Sequence, residues 1–91
     1  MFVQRLERLL LLSKFPIVPK LPSLSGAEIV KTLEALGFQK VRQRGSHVVL
    51  RNNESTCVVP LHNQVKLGTL RSILRQANVN VQRFLDTRSG I

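Results

Sequence analysis

A histidine surrounded by arginines is the feature of this sequence that points most directly to chemistry. In the run RQRGSHVVLR, His47 follows Arg42, Arg44 and Gly45 and precedes Arg51. An imidazole can take up and return a proton near neutral pH, and guanidinium groups stabilise the charge that builds up on a reacting phosphate. Acid–base chemistry on a phosphate ester is therefore one of two interpretations of the run. The alternative is a partly buried, hydrogen-bonded histidine with no chemical role.

RNA suits this group of residues because its 2′-hydroxyl is a nucleophile already attached to the substrate. An enzyme has to remove that proton, stabilise the charge on phosphorus and help the 5′-oxygen to leave, which needs neither a metal ion nor a cofactor. In such a reaction His47 would be the general acid or base, Ser46 would orient its ring or a phosphate oxygen, and Gly45 would let the backbone approach closely. His62 is a candidate second acid or base; otherwise it is a structural or surface residue.

Further bases that could contact phosphates lie later in the chain. They are Lys66, Arg71 and Arg75, of which the last two lie one turn apart on a predicted helix. Solvated helix faces and strand ends have the same composition, so a plain solvent-facing role is the alternative for all the basic residues. The four aromatic residues are all phenylalanine and offer no stacking platform for bases. We therefore expect binding that depends on phosphates, weakens with salt and reads little sequence.

The composition restricts the classes of protein to consider. The chain has 91 residues, enough for one compact domain, and 14 Lys and Arg against 5 Asp and Glu give a net charge of +9. This charge favours RNA, DNA, an acidic protein or an anionic membrane as partner. The single cysteine, Cys57, excludes an internal disulfide, fits a reducing compartment and is expected to be a small buried hydrophobe. No cysteine or histidine cluster has the spacing of metal ligands.

Residues 1–22 are predicted to be an appendage to a domain that spans residues 23–91. The apolar run at 9–12 is too short to cross a membrane, and Glu7 argues against a secretory signal. The start suits a short amphipathic helix, whereas the three prolines of FPIVPKLP favour an extended linker. We expect this appendage to be either poorly ordered or used for interaction with a neighbouring subunit, and we expect no membrane partner.

The domain shows the pattern of an α-β-β-β-α fold. Ser25 and Glu28 form a capping box ahead of a helix over about residues 26–36. Three short strands are predicted in FQKVRQR, SHVVLR and TCVVP. The second helix is TLRSILRQAN, closed by a left-handed Asn78, and NVQRFLD predicts a last short turn capped by Asn80. This order predicts an α+β fold with helices on one face of a three-stranded antiparallel sheet.

Alternation along the second strand predicts which face carries the histidine. One face has Ser46, Val48 and Leu50, and the other has His47, Val49 and Arg51. The more apolar set should face the helices. We therefore expect His47 on the open face of the sheet, beside the arginines.

Three motifs occur in this domain in a specific order, namely RQRGSH, then VPLH, then GTLRSILRQA. Together with LSGAEIVKTLEALGF ahead of them, they resemble the HicA, or YcfA-like, toxins of bacterial toxin–antitoxin pairs. The resemblance covers roughly residues 20–86. Family members usually start near Lys20, so 1–19 is either an addition or the result of a start assigned too far upstream, and Asn78 stands where the family commonly has glycine.

The resemblance implies a fold similar to double-stranded-RNA-binding domains, cleavage of messenger RNA, and neutralisation by an acidic HicB-type antitoxin. It also implies that His47 is the catalytic histidine, since it matches the family's G-S-H motif, and that the antitoxin covers it. We expect a cytoplasmic, metal-independent endoribonuclease that is a monomer when free and a hetero-oligomer with its antitoxin. Two alternatives stay open: a non-catalytic nucleic-acid-binding module, and an interaction subunit whose basic face only meets an acidic protein.

Overall fold

The computed structural model of the chain describes residues 21–91. The elements are, in chain order, α1 (Gly26–Ala35), β1 (Gln39–Arg44), β2 (His47–Asn52), β3 (Ser55–Pro60), α2 (Leu67–Ala77) and α3 (Val81–Ser89). The strands form an antiparallel sheet in the order β1-β2-β3. This confirms the predicted α+β fold and the order α-β-β-β-α, and a further helix follows. Of the N-terminal appendage predicted for residues 1–22, residues 1–20, with the predicted helix and most of the linker, lie outside the described residues.

The start of α1 is held by the predicted capping box. The Ser25 hydroxyl accepts a hydrogen bond from the Glu28 backbone N–H at 3.1 Å, and the Glu28 carboxylate accepts one from the Ser25 backbone N–H at 2.9 Å. This backbone hydrogen bond is the main cause that lowers the pKa of the Glu28 carboxyl below its ordinary value. The helix ends ahead of Gly37, whose φ of +101° is in the region that glycine adopts without strain.

One face of the sheet and the inner sides of the helices form the core. From the strands it takes Val48, Leu50, Cys57 and Val59, all of them buried. Phe84 of α3 and Phe38, just ahead of β1, are buried as well, as is Leu21 at the start of the described residues. Cys57 is 1% exposed, which confirms the prediction of a buried hydrophobe, and burial raises the pKa of its thiol to about 11.

Strand β1 lies at an edge of the sheet and is exposed along its whole length. The helices pack mainly against β3, so both faces of β1 remain open to solvent. A bulge shifts its register between Lys40 and Arg42 and leaves the side chain of Val41 53% exposed. Charged side chains and a bulge are features that keep an edge strand from pairing with other chains.

The last two helices depart from the predicted bounds. Helix α2 begins at Leu67, two residues ahead of the predicted start, because its N-cap residue Lys66 makes no side-chain hydrogen bond that a sequence pattern could reveal. The predicted short turn after Asn80 is instead a helix of nine residues. The residues predicted to end α2 and to cap the start of the next element are both confirmed. Asn78 has a φ of +60°, and the Asn80 side chain accepts hydrogen bonds from two backbone N–H groups at 2.7 and 3.2 Å.

Candidate nucleic-acid interface

A two-residue turn joins β1 to β2 and presents the histidine. Arg44 and His47 are paired, and Gly45 and Ser46 form the turn between them. Gly45 has a φ of +59° and Ser46 does not have a positive φ, a pattern typical of type II′ hairpin turns. A Cβ at Gly45 would meet nothing within 4 Å, so the backbone conformation, not a lack of space, requires the glycine. The open space also leaves room for a ligand to approach the backbone.

Hydrogen bonds hold this turn from two sides. The Gln43 side-chain amide donates to the Gly45 carbonyl at 3.1 Å, and the Leu61 backbone N–H donates to the Ser46 carbonyl at 2.6 Å. His47 itself belongs to the central strand, which is paired along both edges. The sequence analysis did not single out Gln43, because a glutamine two residues ahead of a glycine is not a recognised motif for a hydrogen bond of this kind. The backbone at His47 is therefore held by its neighbours β1 and β3 and by the hydrogen-bonded turn ahead of it.

The strand register decides which side chains share the open face of the sheet, the face away from the helices. Directly paired residues point to the same side of a sheet. Across the three strands the open face has the rows Arg44–His47–Pro60, Arg42–Val49–Val58 and Gln39–Arg51–Thr56. The register therefore brings the histidine together with three of the predicted phosphate-binding arginines. The positive charge lies on β1 and β2, while the row members from β3 are neutral.

These polar side chains are accessible to a large ligand. His47, Arg42, Arg44 and Arg51 are all exposed, whereas the neighbours Val48 and Leu50 are buried under the helices. The alternation predicted for β2 is thus confirmed, and the imidazole is not packed in the core. A phosphate could reach it from solvent without any rearrangement of the fold.

His62 lies near the same end of the sheet. It follows Pro60, the partner of His47 in β3, by two residues, and its side chain is exposed. Its carbonyl accepts a hydrogen bond from the Gly26 backbone N–H at 2.9 Å, which ties this loop to the start of α1. A Cβ at Gly26 would overlap the carbonyl oxygen of Pro60, so α1 is pressed closely against the loop. Two exposed imidazoles therefore stand at the end of the sheet where β1 and β2 join.

The remaining predicted phosphate contacts lie elsewhere. Helix α2 buries one side, made of Leu70, Ile73, Leu74 and Ala77. At 100° per residue, Arg71 and Arg75 are on the opposite side, and both are exposed, as is Lys66 ahead of the helix. The register does not bring these three bases to the open face with His47. Arg71 and Arg75 form a separate basic surface on the outer side of α2, and Lys66 precedes that helix.

Residues 21–91 lack two features. None of the helices in this range combines the length and apolarity that a membrane crossing needs. The same range contains no group of three His, Cys, Asp or Glu side chains placed to hold a metal ion.

The sequence was compared with known protein families. The sequence matches the family described as the HicA toxin of bacterial toxin–antitoxin systems over residues 26–79. No curated protein sequence matches the chain significantly. The matched residues comprise more than half of the chain and run from the first residue of α1 to just past Asn78, so they include the whole sheet, His47 and His62. The chain therefore belongs to the HicA family of bacterial toxins.

Proposed function

We propose that this toxin is a metal-independent endoribonuclease that cleaves messenger RNA, with His47 as its general acid and base. The observation that carries the proposal is the exposed pairing of His47 with Arg44 on a face that also bears Arg42 and Arg51. An acid–base group beside fixed cations is what cleavage of a phosphodiester by its own 2′-hydroxyl requires. Membership of a toxin family fits an activity that damages the cell's own RNA.

The reaction needs one proton to be removed and one to be supplied. His47 takes the proton of the 2′-hydroxyl, the 2′-oxygen forms a bond to phosphorus, and the bond from phosphorus to the 5′-oxygen breaks. A proton from the imidazolium, or from His62, passes to the leaving 5′-oxygen. The products are a 2′,3′-cyclic phosphate and a free 5′-hydroxyl. Acid–base help of this kind contributes on the order of 10²–10⁴ in rate.

The arginines supply the charge that the transition state needs. In this proposal Arg44, directly across from His47, binds a non-bridging oxygen of the reacting phosphate, and Arg42 and Arg51 bind the neighbouring phosphates. Guanidinium groups offer paired donors that match phosphate oxygens. The exposed turn adds Ser46, whose hydroxyl orients a phosphate oxygen or the imidazole, and Gly45, where the RNA backbone comes closest.

A longer RNA would also meet the helical side of the domain. Arg71 and Arg75 lie on the outer side of α2, away from the open face, and Lys66 precedes that helix, so these residues suit phosphates well removed from the cut. We assign them a role in affinity and none in the chemical step.

The antitoxin of such a pair has to hide this activity. An acidic HicB-type protein would bind a chain with a net charge of +9, and covering His47 together with its arginines would block access for RNA. The free toxin is then a cytoplasmic monomer and the neutralised one a hetero-oligomer.

Expression in a host without the antitoxin tests the proposal. We expect wild type to stop growth and shorten transcripts, and His47→Ala, produced at the same level, to do neither. Arg83→Ala, which changes an exposed arginine of α3, is a matched control that should remain toxic. If His47→Ala degrades transcripts as fast as wild type, the histidine is not the catalyst. If neither protein affects RNA while both bind it, the chain is a non-catalytic nucleic-acid-binding module.

A further inference from the structure

Two valines face each other on the open face of the sheet, one row away from His47. Val49 of β2 pairs with Val58 of β3. The pair is of the non-hydrogen-bonded type, because the Val58 backbone N–H points away from β2 and donates to the Gln76 side chain at 3.3 Å. In antiparallel sheets such pairs bring their side chains closest together. The two isopropyl groups therefore form one continuous apolar surface.

This apolar pair is accessible. Val58 is 40% exposed and Val49 is half-buried, whereas the adjoining Val59 and Cys57 are buried on the other face. The pair has Arg42 at its β1 side, in the same row, and His47 in the next row. The pair is thus an exposed apolar surface in the row next to the proposed catalytic group.

We propose that Val49 and Val58 form the subsite for an unpaired base of the RNA, that of a nucleotide adjoining the cleaved phosphate. The inference rests on the proposed function for its ligand class and adds to it where the base lies. The distribution of charge determines how the nucleotide is oriented on the sheet. Its phosphates lie over the cationic strands β1 and β2, and its base extends toward the neutral strand β3. The separate basic surface of α2 takes no part in it.

The spacing of the sheet fits one nucleotide. Rows on one face are two residues apart along a strand, or about 6.6 Å, and neighbouring strands are about 4.8 Å apart. A phosphate held at His47 and Arg44 therefore has the valine pair within reach of its own sugar and base. Branched methyl groups contact the flat face of any base and offer no hydrogen bond, so the subsite accepts all four bases. A base in a duplex is stacked and paired, so the subsite selects single-stranded RNA.

Binding measurements with an RNA that cannot be cut test this subsite without relying on catalysis. The probe is a 2′-fluoro pentanucleotide, which lacks the nucleophilic hydroxyl, together with five versions that have one abasic position each. Val58→Thr keeps the shape of the side chain and makes it polar. We expect Val58→Thr to weaken binding of the intact probe about three- to tenfold, in line with the loss of one apolar contact. For one abasic version the same substitution should have no effect, since the base it would contact is missing.

Leu67→Thr is the matched control, because Leu67 is 44% exposed and lies at the start of α2. It should bind every probe as wild type does, and the duplex form of the probe should not distinguish Val58→Thr from wild type. If Val58→Thr weakens the binding of all six probes equally, or of none, the proposal of a base subsite is wrong. The valine pair would then be available for contact with a protein instead. Cleavage by wild type and His47→Ala is measured separately on all-ribose RNA, so the proposed function can fail while the subsite stands, and the reverse.

Discussion

His47 and Arg44 lie directly opposite each other across the β1–β2 ladder, at the end of the sheet where a two-residue turn joins the strands. Paired residues share a face, so the imidazole and the guanidinium are exposed to the same ligand. The turn itself is fixed by hydrogen bonds to the carbonyls of Gly45 and Ser46. This pairing puts an imidazole and a guanidinium side by side at the end of a hydrogen-bonded hairpin.

Removing an arginine from the open face should change how RNA binding responds to salt. Arg42→Gln, Arg44→Gln and Arg51→Gln each delete one proposed phosphate contact, so each should make the negative slope of log affinity against log salt shallower by about 0.7 for single-stranded RNA. Fluorescence anisotropy over a salt series measures the slope. Arg83→Gln removes the same charge from α3 and should leave it close to that of wild type. Identical slopes for all four variants would show that the open face does not contact phosphates.

Two glycines with open space around them should respond to alanine in opposite directions. Gly45 has a φ of +59°, so Gly45→Ala should lower the free energy of unfolding by about 1–2 kcal/mol, the cost of holding a residue with a Cβ at a positive φ. Gly68 lies in the first turn of α2 without a positive φ, so Gly68→Ala should raise it by about 0.5 kcal/mol. Urea unfolding measures both, and a Gly45→Ala protein as stable as wild type would contradict the assigned turn conformation.

Gly26 should tolerate alanine least. A Cβ there overlaps the Pro60 carbonyl oxygen, a backbone atom that cannot turn aside as a side chain could. We expect Gly26→Ala to lower the free energy of unfolding by about 3 kcal/mol, at the upper end of overpacking effects. The displaced loop includes His62, so backbone amide shifts in that loop should change too. A destabilisation no larger than that of Gly45→Ala would mean that α1 is not pressed against the loop.

The capping box should make stability depend on acidity. The Ser25 backbone N–H holds the pKa of the Glu28 carboxyl below its ordinary value in the folded state. A lowered folded pKa contributes stability above the unfolded pKa, and this stability is lost as the pH falls through the folded value. Between pH 5 and pH 3, roughly the range in which a free glutamate titrates, wild type should lose stability faster than Glu28→Gln. Parallel curves for the two proteins would contradict the assigned hydrogen bond.

Cys57 should be unreactive until the domain unfolds. Burial raises the pKa of its thiol to about 11, so near pH 8 the native state holds a neutral thiol beneath the helices. Labelling by an aromatic disulfide reagent should be slow in buffer and should accelerate with urea along the unfolding curve. Thr56→Cys in a Cys57→Ala background places a thiol on the open face and should react at once. Rapid labelling of native wild type would show that the core is not closed over Cys57.

Local side-chain chemistry predicted the parts of the fold that depend on it. The capping box of Ser25 and Glu28, the glycine after α1 and the left-handed Asn78 are contacts within a few residues of the chain, so the sequence displays them. The alternation in SHVVLR likewise predicted that His47 faces away from the helices, because only one of its two sets is apolar. The start of α2 was not predicted, because its N-cap residue makes no side-chain hydrogen bond. The length of α3 was not predicted, because only Phe84 of that helix is buried and one buried residue gives no periodic pattern.

Predicting the candidate site required the register of the strands as well as the alternation of apolar and polar residues along them. The pairing of Arg44 with His47 depends on the length of the turn between β1 and β2, and the pairing of Val49 with Val58 depends on the length of the turn between β2 and β3. The separation of Arg71 and Arg75 from the open face depends on how α2 packs. The sequence analysis therefore grouped all the basic residues as phosphate contacts, whereas the structure divides them between two surfaces.

Cleavage of all-ribose RNA by the purified protein tests the central claim most directly. The assay compares wild type, His47→Ala and His62→Ala in the presence of a chelator, with far-ultraviolet circular dichroism to show that each is folded. We predict that wild type cuts the RNA and leaves 2′,3′-cyclic phosphate ends, and that His47→Ala is slower by about 10²–10⁴. A folded His47→Ala protein that cuts at the wild-type rate would contradict the account.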